Sequence, residues 1–121
     1  MPLWIPPTVA KEPHLTLSGW SMFLVLLPGI GTPTAHVAGY NDVIGEARVS
    51  SPIVSLDASS RCCVTASGRV YRLAGHPGLG SDASYVWARW LRIWDATVQE
   101  DLSQATLADF AAAAPAPAHG D

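Results

Sequence analysis

Arg61–Trp94, RCCVTASGRVYRLAGHPGLGSDASYVWARWLRIW, reads as a tight hairpin, a glycine-rich connection and a tryptophan-rich helix. Ser67-Gly68 is a turn dipeptide between residues that suit a pleated strand, and glycine accepts the positive φ of short hairpin turns. A two-residue loop there predicts the pairs Ala66–Arg69, Val64–Tyr71 and Cys62–Leu73 on one face. Thr65–Val70 and Cys63–Arg72 then share the other. The first face is the more apolar and is the expected core side, an assignment that a one-residue slip in register would reverse.

Regular structure should stop in the following run AGHPGLG, with its three glycines and one proline. Ser81 or Asp82 can cap a helix over Asp82–Trp94 by accepting a hydrogen bond from a free first-turn amide. At about 100° per residue, Trp87, Trp90, Leu91, Trp94 and Val98 fall on one stripe, flanked by Val86 and Ile93. Asp82, Arg89, Arg92 and Asp95 point the other way. The expected helix is amphipathic, and its three indoles should close over a sheet face.

The strands before it extend the picture. Trp20–Leu27 is short and continuously apolar, which suits a strand covered on both sides, within a segment His14–Leu27 of one or two strands. Thr34–Tyr40 is a candidate short strand that Gly39 weakens, leading to an Asn41-Asp42 turn. Arg48–Leu56 reads as one further strand with Pro52 at an edge or bulge. A loop Asp57–Arg61 would set Leu56 against Cys62 and Val54 against Val64, so that Val54, Leu56, Val64, Tyr71 and Leu73 form one core layer. Short connections favour an antiparallel meander of about four or five strands, packed on one tryptophan-rich C-terminal helix: an α+β fold.

The 121 residues, with 49% apolar and 14% charged side chains, suit one folded domain, expected over residues 14–100. Met1–Pro13, with four prolines, should be an irregular arm whose Trp4 and Ile5 can dock on the body. Beyond residue 100, a short helix starting near Ser103 would place Leu107 and Phe110 at helical spacing, and Ala111–Asp121 should be an extended Ala/Pro tail. The apolar run Met22–Leu27 is too short to span a bilayer, because Ser18-Gly19 and Pro28-Gly29 interrupt it, so a buried strand is preferred to a membrane segment. Cys62 and Cys63 are adjacent and point to opposite sides of a strand, which leaves no intrachain disulfide and suggests a reducing, cytoplasmic setting.

The net charge of −3 is unevenly distributed: −2 over residues 1–47, +4 over 48–94 and −5 over 95–121. The positive charge beyond Lys11 is all arginine, suited to bidentate contacts with carboxylate or phosphate. His14, His36, His76 and His119 show no metal-ligand spacing, and there is no phosphate-loop motif, so no cofactor or metal is expected. Cys63 with His76 could be drawn as a thiol and its base, but no local pattern aligns them, and His76-Pro77-Gly78 is more simply a loop. Arg61, Arg69, Arg72, Arg89 and Arg92 lie among Tyr71, Tyr85, Trp87 and Trp90, a mixture that serves phosphate contact and base stacking. The helix stripe, however, turns its tryptophans inward, and the whole chain is acidic.

The patterns SPIV-x-LD, T-x-SGRVYRL-x-G-x-PG and DA-x-YVW-x-RWL across Ser51–Leu91 resemble short proteins of bacterial genomes and mobile elements. That resemblance implies an accessory or interference role, such as binding and blocking another protein, and supplies no site residues. The sequence therefore favours a non-catalytic interaction module that meets another protein, with an acidic surface as the complementary partner, through Arg69, Arg72, Arg89 and Arg92. A nucleic-acid binder ranks second and a small thiol-dependent enzyme third.

Overall fold

A computed structural model describes residues 13–113. The element order is β1 (His14–Leu26), β2 (Thr34–Asn41), β3 (Glu46–Val49), β4 (Ile53–Asp57), β5 (Cys62–Thr65), β6 (Val70–Leu73), α1 (Ser81–Ile93), β7 (Thr97–Asp101) and α2 (Ser103–Ala113). The class is α+β, but the sheet has seven strands rather than four or five. The strands run in the order β3-β2-β1-β6-β5-β4, with β7 also on β1.

The organising element is β1, and it is not part of a simple meander. Its first half pairs in parallel with β6, from His14 opposite Val70 to Leu17 opposite Leu73. Its second half lies antiparallel between β2 and β7. The change of partner occurs at a register shift between Ser18 and Ser21, where Gly19 takes φ +50°. A bulge of this kind re-aims a strand and increases its twist. Gly39 of β2 crosses this bend so closely that an added Cβ would sit 3.0 Å from Leu17 Cβ and 3.2 Å from Trp20 Cα. The glycine that weakens Thr34–Asn41 as an isolated strand is what lets the two strands meet.

Beyond the bend, β1 and β2 are buried on both faces, as continuous apolarity in Trp20–Leu27 predicts. Trp20, Met22 and Val37 join Leu15, Leu17, Cys63, Tyr71 and Leu73 in one core, closed by Phe110 of α2. Val25, Ala38 and Trp87 form a second core, against which Phe23, Val49, Trp90 and Leu91 pack. The expected helix from Ser103 therefore forms and belongs to the body. It runs on to Ala113, so the first residues of the expected tail are helical. The rest of that tail, residues 114–121, and residues 1–12 of the expected arm lie outside the described residues.

The hairpin register differs from expectation by one residue. Val64 pairs with Val70, Cys63 with Tyr71 and Cys62 with Arg72. The loop has three residues, Ala66, Ser67 and Gly68, with Gly68 at φ +91° and its amide donating to Thr65 O at 2.8 Å. A three-residue loop with a left-handed glycine is the next commonest hairpin solution after the two-residue one. The slip leaves Tyr71 and Leu73 inside but turns β5 over, so Cys63 and Thr65, not Cys62 and Val64, face the core.

The preceding turn slips too, with Leu56 opposite Cys63 and Asp57 opposite Cys62. The expected core residues Val54 and Leu56 are consequently 64% and 39% exposed on an edge strand. The single strand expected over Arg48–Leu56 is two, broken at Ser50-Ser51-Pro52, because proline lacks the amide that a continuous ladder would use. α1 packs over β2 and β3 rather than over the hairpin. Its N-cap is Gly80, with no side-chain cap bond from Ser81 or Asp82. None of the described helices is long and apolar enough to cross a membrane.

Candidate binding cleft at the end of helix α1

The buried face of α1 carries Ala83, Trp87, Trp90, Leu91 and Trp94 at spacings that bring them into one row. Trp87 stacks between Phe23 of β1, at 4.6 Å and 12° between ring planes, and Trp90, at 5.3 Å and 10°. Trp90 in turn meets the His36 ring at 4.9 Å and Trp94 at 6.4 Å. Burial falls along the row: Trp87 is 7% exposed and Trp94 is 56% exposed. The expectation that all three indoles are core residues fails at the last of them. Val98 also leaves the predicted stripe, since it lies in β7 and is exposed.

The helix ends abruptly there. Asp95 adopts φ +50°, its amide donates to Arg92 O at 3.2 Å, and Ala96 N donates to Leu91 O at 2.9 Å. This is the paired-bond C-terminal cap in which a left-handed residue satisfies the last carbonyls. The cap holds Trp94 over a cleft of about 330 Å³, between the end of α1 and the corner where β3 passes to β4. Leu27, Val49, Pro52, Trp90 and Trp94 supply its apolar lining.

His36 forms the floor, 1% exposed. Its Nδ1 lies 2.8 Å from Ser50 O and its Nε2 2.7 Å from Thr34 Oγ1. A carbonyl can only accept, so Nδ1 carries the proton and Nε2 accepts from the threonine hydroxyl. Burial pushes the His36 pKa below its ordinary value of 6.5, opposed in part by the bond to Ser50. The imidazole is thus neutral at pH 7 and fixed in one tautomer. Thr34 beside a histidine has the outline of an activated nucleophile, yet Thr34 does not line the cleft. Sequence reading passed over His36 because a lone histidine in a strand carries no local signal. Its position between two hydrogen-bond partners and an indole is a tertiary fact.

The cysteine reading finds no support in the geometry. Cys63 is fully buried, and burial first, the neighbouring Cys62 second, push its thiol pKa up to about 12, a bond from the Tyr71 backbone opposing them. A thiol with that pKa supplies no nucleophile at neutral pH. His76 is exposed and opens on a different pocket. Both cysteines are free, and no group of His, Cys, Asp and Glu among the described residues could hold a metal.

The four candidate arginines separate. Arg69 is 8% exposed, on the same inward side of the hairpin as Tyr71 and Leu73, so it cannot be part of an exposed contact surface. Arg72 is exposed on β6 opposite Cys62. Arg89 is half-buried and Arg92 exposed on α1, where i, i+4, i+7 spacing aligns them with Tyr85, 62% exposed. Of the other aromatics grouped with the arginines, Tyr71 and Trp87 are buried and Trp90 half-buried. Arg61 serves the fold: Nε donates to Leu73 O at 2.8 Å, Nη2 donates to Gly75 O, and the guanidinium lies 4.8 Å from the Phe110 ring centroid. No family model, curated protein or solved structure matches the chain.

Proposed function

We propose that this protein is a non-catalytic interaction module that takes a proline-bearing extended segment of another protein into the cleft beside Trp94. The observation that carries this reading is the half-exposed Trp94 next to Trp90, sharing with Pro52 a cleft whose lining contains no charged side chain. A polyproline II segment has no internal hydrogen bonds and presents flat pyrrolidine rings with free carbonyls. Aromatic-walled grooves recognise such segments by ring packing, with hydroxyls and indole N–H groups meeting the carbonyls. Ser50 and Ser51 border this cleft. The ligand is already extended before it binds, so less entropy is lost on association. A neutral His36 suits a neutral ligand. The two free thiols fit a cytoplasmic setting.

The test is a tryptophan-fluorescence titration with a polyproline peptide and a glycine-serine peptide of equal length. Saturable binding of the first alone, lost in Trp94→Ala while the melting temperature holds, is the expected result. Equal response to both peptides removes the reading.

A second reading rests on Tyr85, Arg89 and Arg92 along the outer side of α1, with Arg72 exposed separately on β6. This cationic and aromatic surface suits an acidic protein partner, or single-stranded nucleic acid through phosphate contact and stacking on Tyr85. Reversal of Arg72, Arg89 and Arg92 to glutamate should abolish such contacts and leave the cleft untouched. Salt-sensitive retention on single-stranded nucleic acid, lost in that variant, would select the nucleic-acid form.

A further inference from the structure

We propose a second, independent binding site for an amphiphilic carboxylate, in the pocket between α2 and the turn that joins β4 to β5. The pocket encloses about 400 Å³, within the range of small-molecule sites. Its apolar lining comes from Ala58, Leu107, Phe110 and Ala111, and its polar end from Arg61 and His76.

Arg61 makes this more than an apolar hollow. It sits at φ +60°, a backbone conformation that an unbranched side chain tolerates poorly unless the surroundings enforce it. Two backbone carbonyls and the Phe110 ring hold its guanidinium in place. Those bonds use Nε and one N–H of Nη2, which leaves Nη1 and the second N–H of Nη2 as donors. No described carboxylate lies within ion-pair distance of Arg61. The result is a half-buried, immobilised cation at the edge of an apolar pocket, and the complementary occupant is an anion with an apolar body.

The described acidic groups of the turn and of α2 do not supply that anion. Asp57, one residue before Ala58, is turned into its own loop, where it accepts from the Ser59 hydroxyl at 2.8 Å and the Ser60 hydroxyl at 2.9 Å. Asp109 lies on the side of α2 opposite the Leu107–Ala111 row by helical spacing. A carboxylate is favoured over a larger dianion because a guanidinium fork matches it bidentately and only one arginine lines the pocket. The apolar body would then lie along Leu107 and Phe110.

The experiment titrates the full chain with octanoate, octanol and octylammonium, followed by calorimetry and by methyl and guanidinium NMR shifts. Saturable octanoate binding is expected, with shifts at Arg61 and Leu107 and with octanol and octylammonium each at least about tenfold weaker, as loss of a charge-assisted bond implies. Arg61→Lys should weaken octanoate by a similar factor. Because Arg61 also ties down two carbonyls, Ala111→Glu provides an independent check. It places a negative charge at the exposed rim and should weaken octanoate at least about tenfold with an unchanged melting temperature. Equal binding of octanoate and octanol, shifts that map away from Leu107 and Phe110, an Ala111→Glu variant that binds octanoate normally, or no binding at millimolar octanoate would overturn the proposal.

Discussion

Trp87 and Trp94 lie on one helix row with opposite surroundings, and the contrast is measurable. Trp87 is sandwiched between Phe23 and Trp90, so Trp87→Ala should destabilise by about 3–5 kcal/mol in denaturant unfolding. Trp94→Ala removes a side chain more than half exposed and should change stability by under about 1 kcal/mol. Cys63 gives a pH prediction. An unfolded thiol titrates near 9.0 and the folded one near 12, so between those values the unfolded chain binds fewer protons. The stability contributed by the buried thiol is therefore fully present below pH 9 and is lost as pH rises toward 12, at about 1.4 kcal/mol per unit. Cys63→Ala should flatten that limb relative to the parent, and an unchanged difference between the two curves would place the thiol outside the core. His36 works in the acidic direction: its depressed pKa contributes stability above about 6.5 that is lost as pH falls through its folded value. Which cysteine faces inward was not legible from sequence. Cys62 and Cys63 are chemically identical, and a one-residue change of loop length exchanges them.

At the scale of elements, two backbone positions carry opposite predictions. Gly39→Val would force a side chain against Leu17 and Trp20, and overpacking of this kind should cost about 1–3 kcal/mol. Asp95 occupies a left-handed position that glycine takes without strain, so Asp95→Gly should raise stability by about 1 kcal/mol in the same unfolding measurement. The strongly patterned elements were legible: α1 from its indole spacing, α2 from Ser103, Leu107 and Phe110, and β1 from its apolar run. Both turns around β5 were placed correctly and registered wrongly: a left-handed glycine, Gly68, satisfies a loop of two residues or three, and at the other turn the left-handed residue is Arg61, which carries no such signal in the sequence. β7 was missed for a different reason. TVQED has no apolar alternation, and all five residues are exposed; it is a strand because β1 offers it an edge. The cleft was hidden with it, since nothing within α1 tells that β3 ends before Trp94 is covered.

For the molecule as a whole, the fold spends its apolar surface on two cores that share β1, and it leaves a charged exterior of uneven sign. The same sharing has a temporal consequence. The segment that holds both cores together is the first strand of the described fold, yet its neighbours arrive at residues 34, 70 and 97. The pairings with β6 and β7, so distant along the chain, close large loops before they return any stability, and proteins dominated by such contacts fold in milliseconds to seconds. Refolding by stopped-flow fluorescence should fall in that slow range, and a microsecond phase that accounts for the full amplitude would contradict it. During synthesis, Met22–Leu27 can pair with β2 soon after it emerges, but its other edge must wait, open and apolar, until β7 arrives at residues 97–101. Expression yield should therefore respond to chaperone supply more than to any change at the surface of the finished protein.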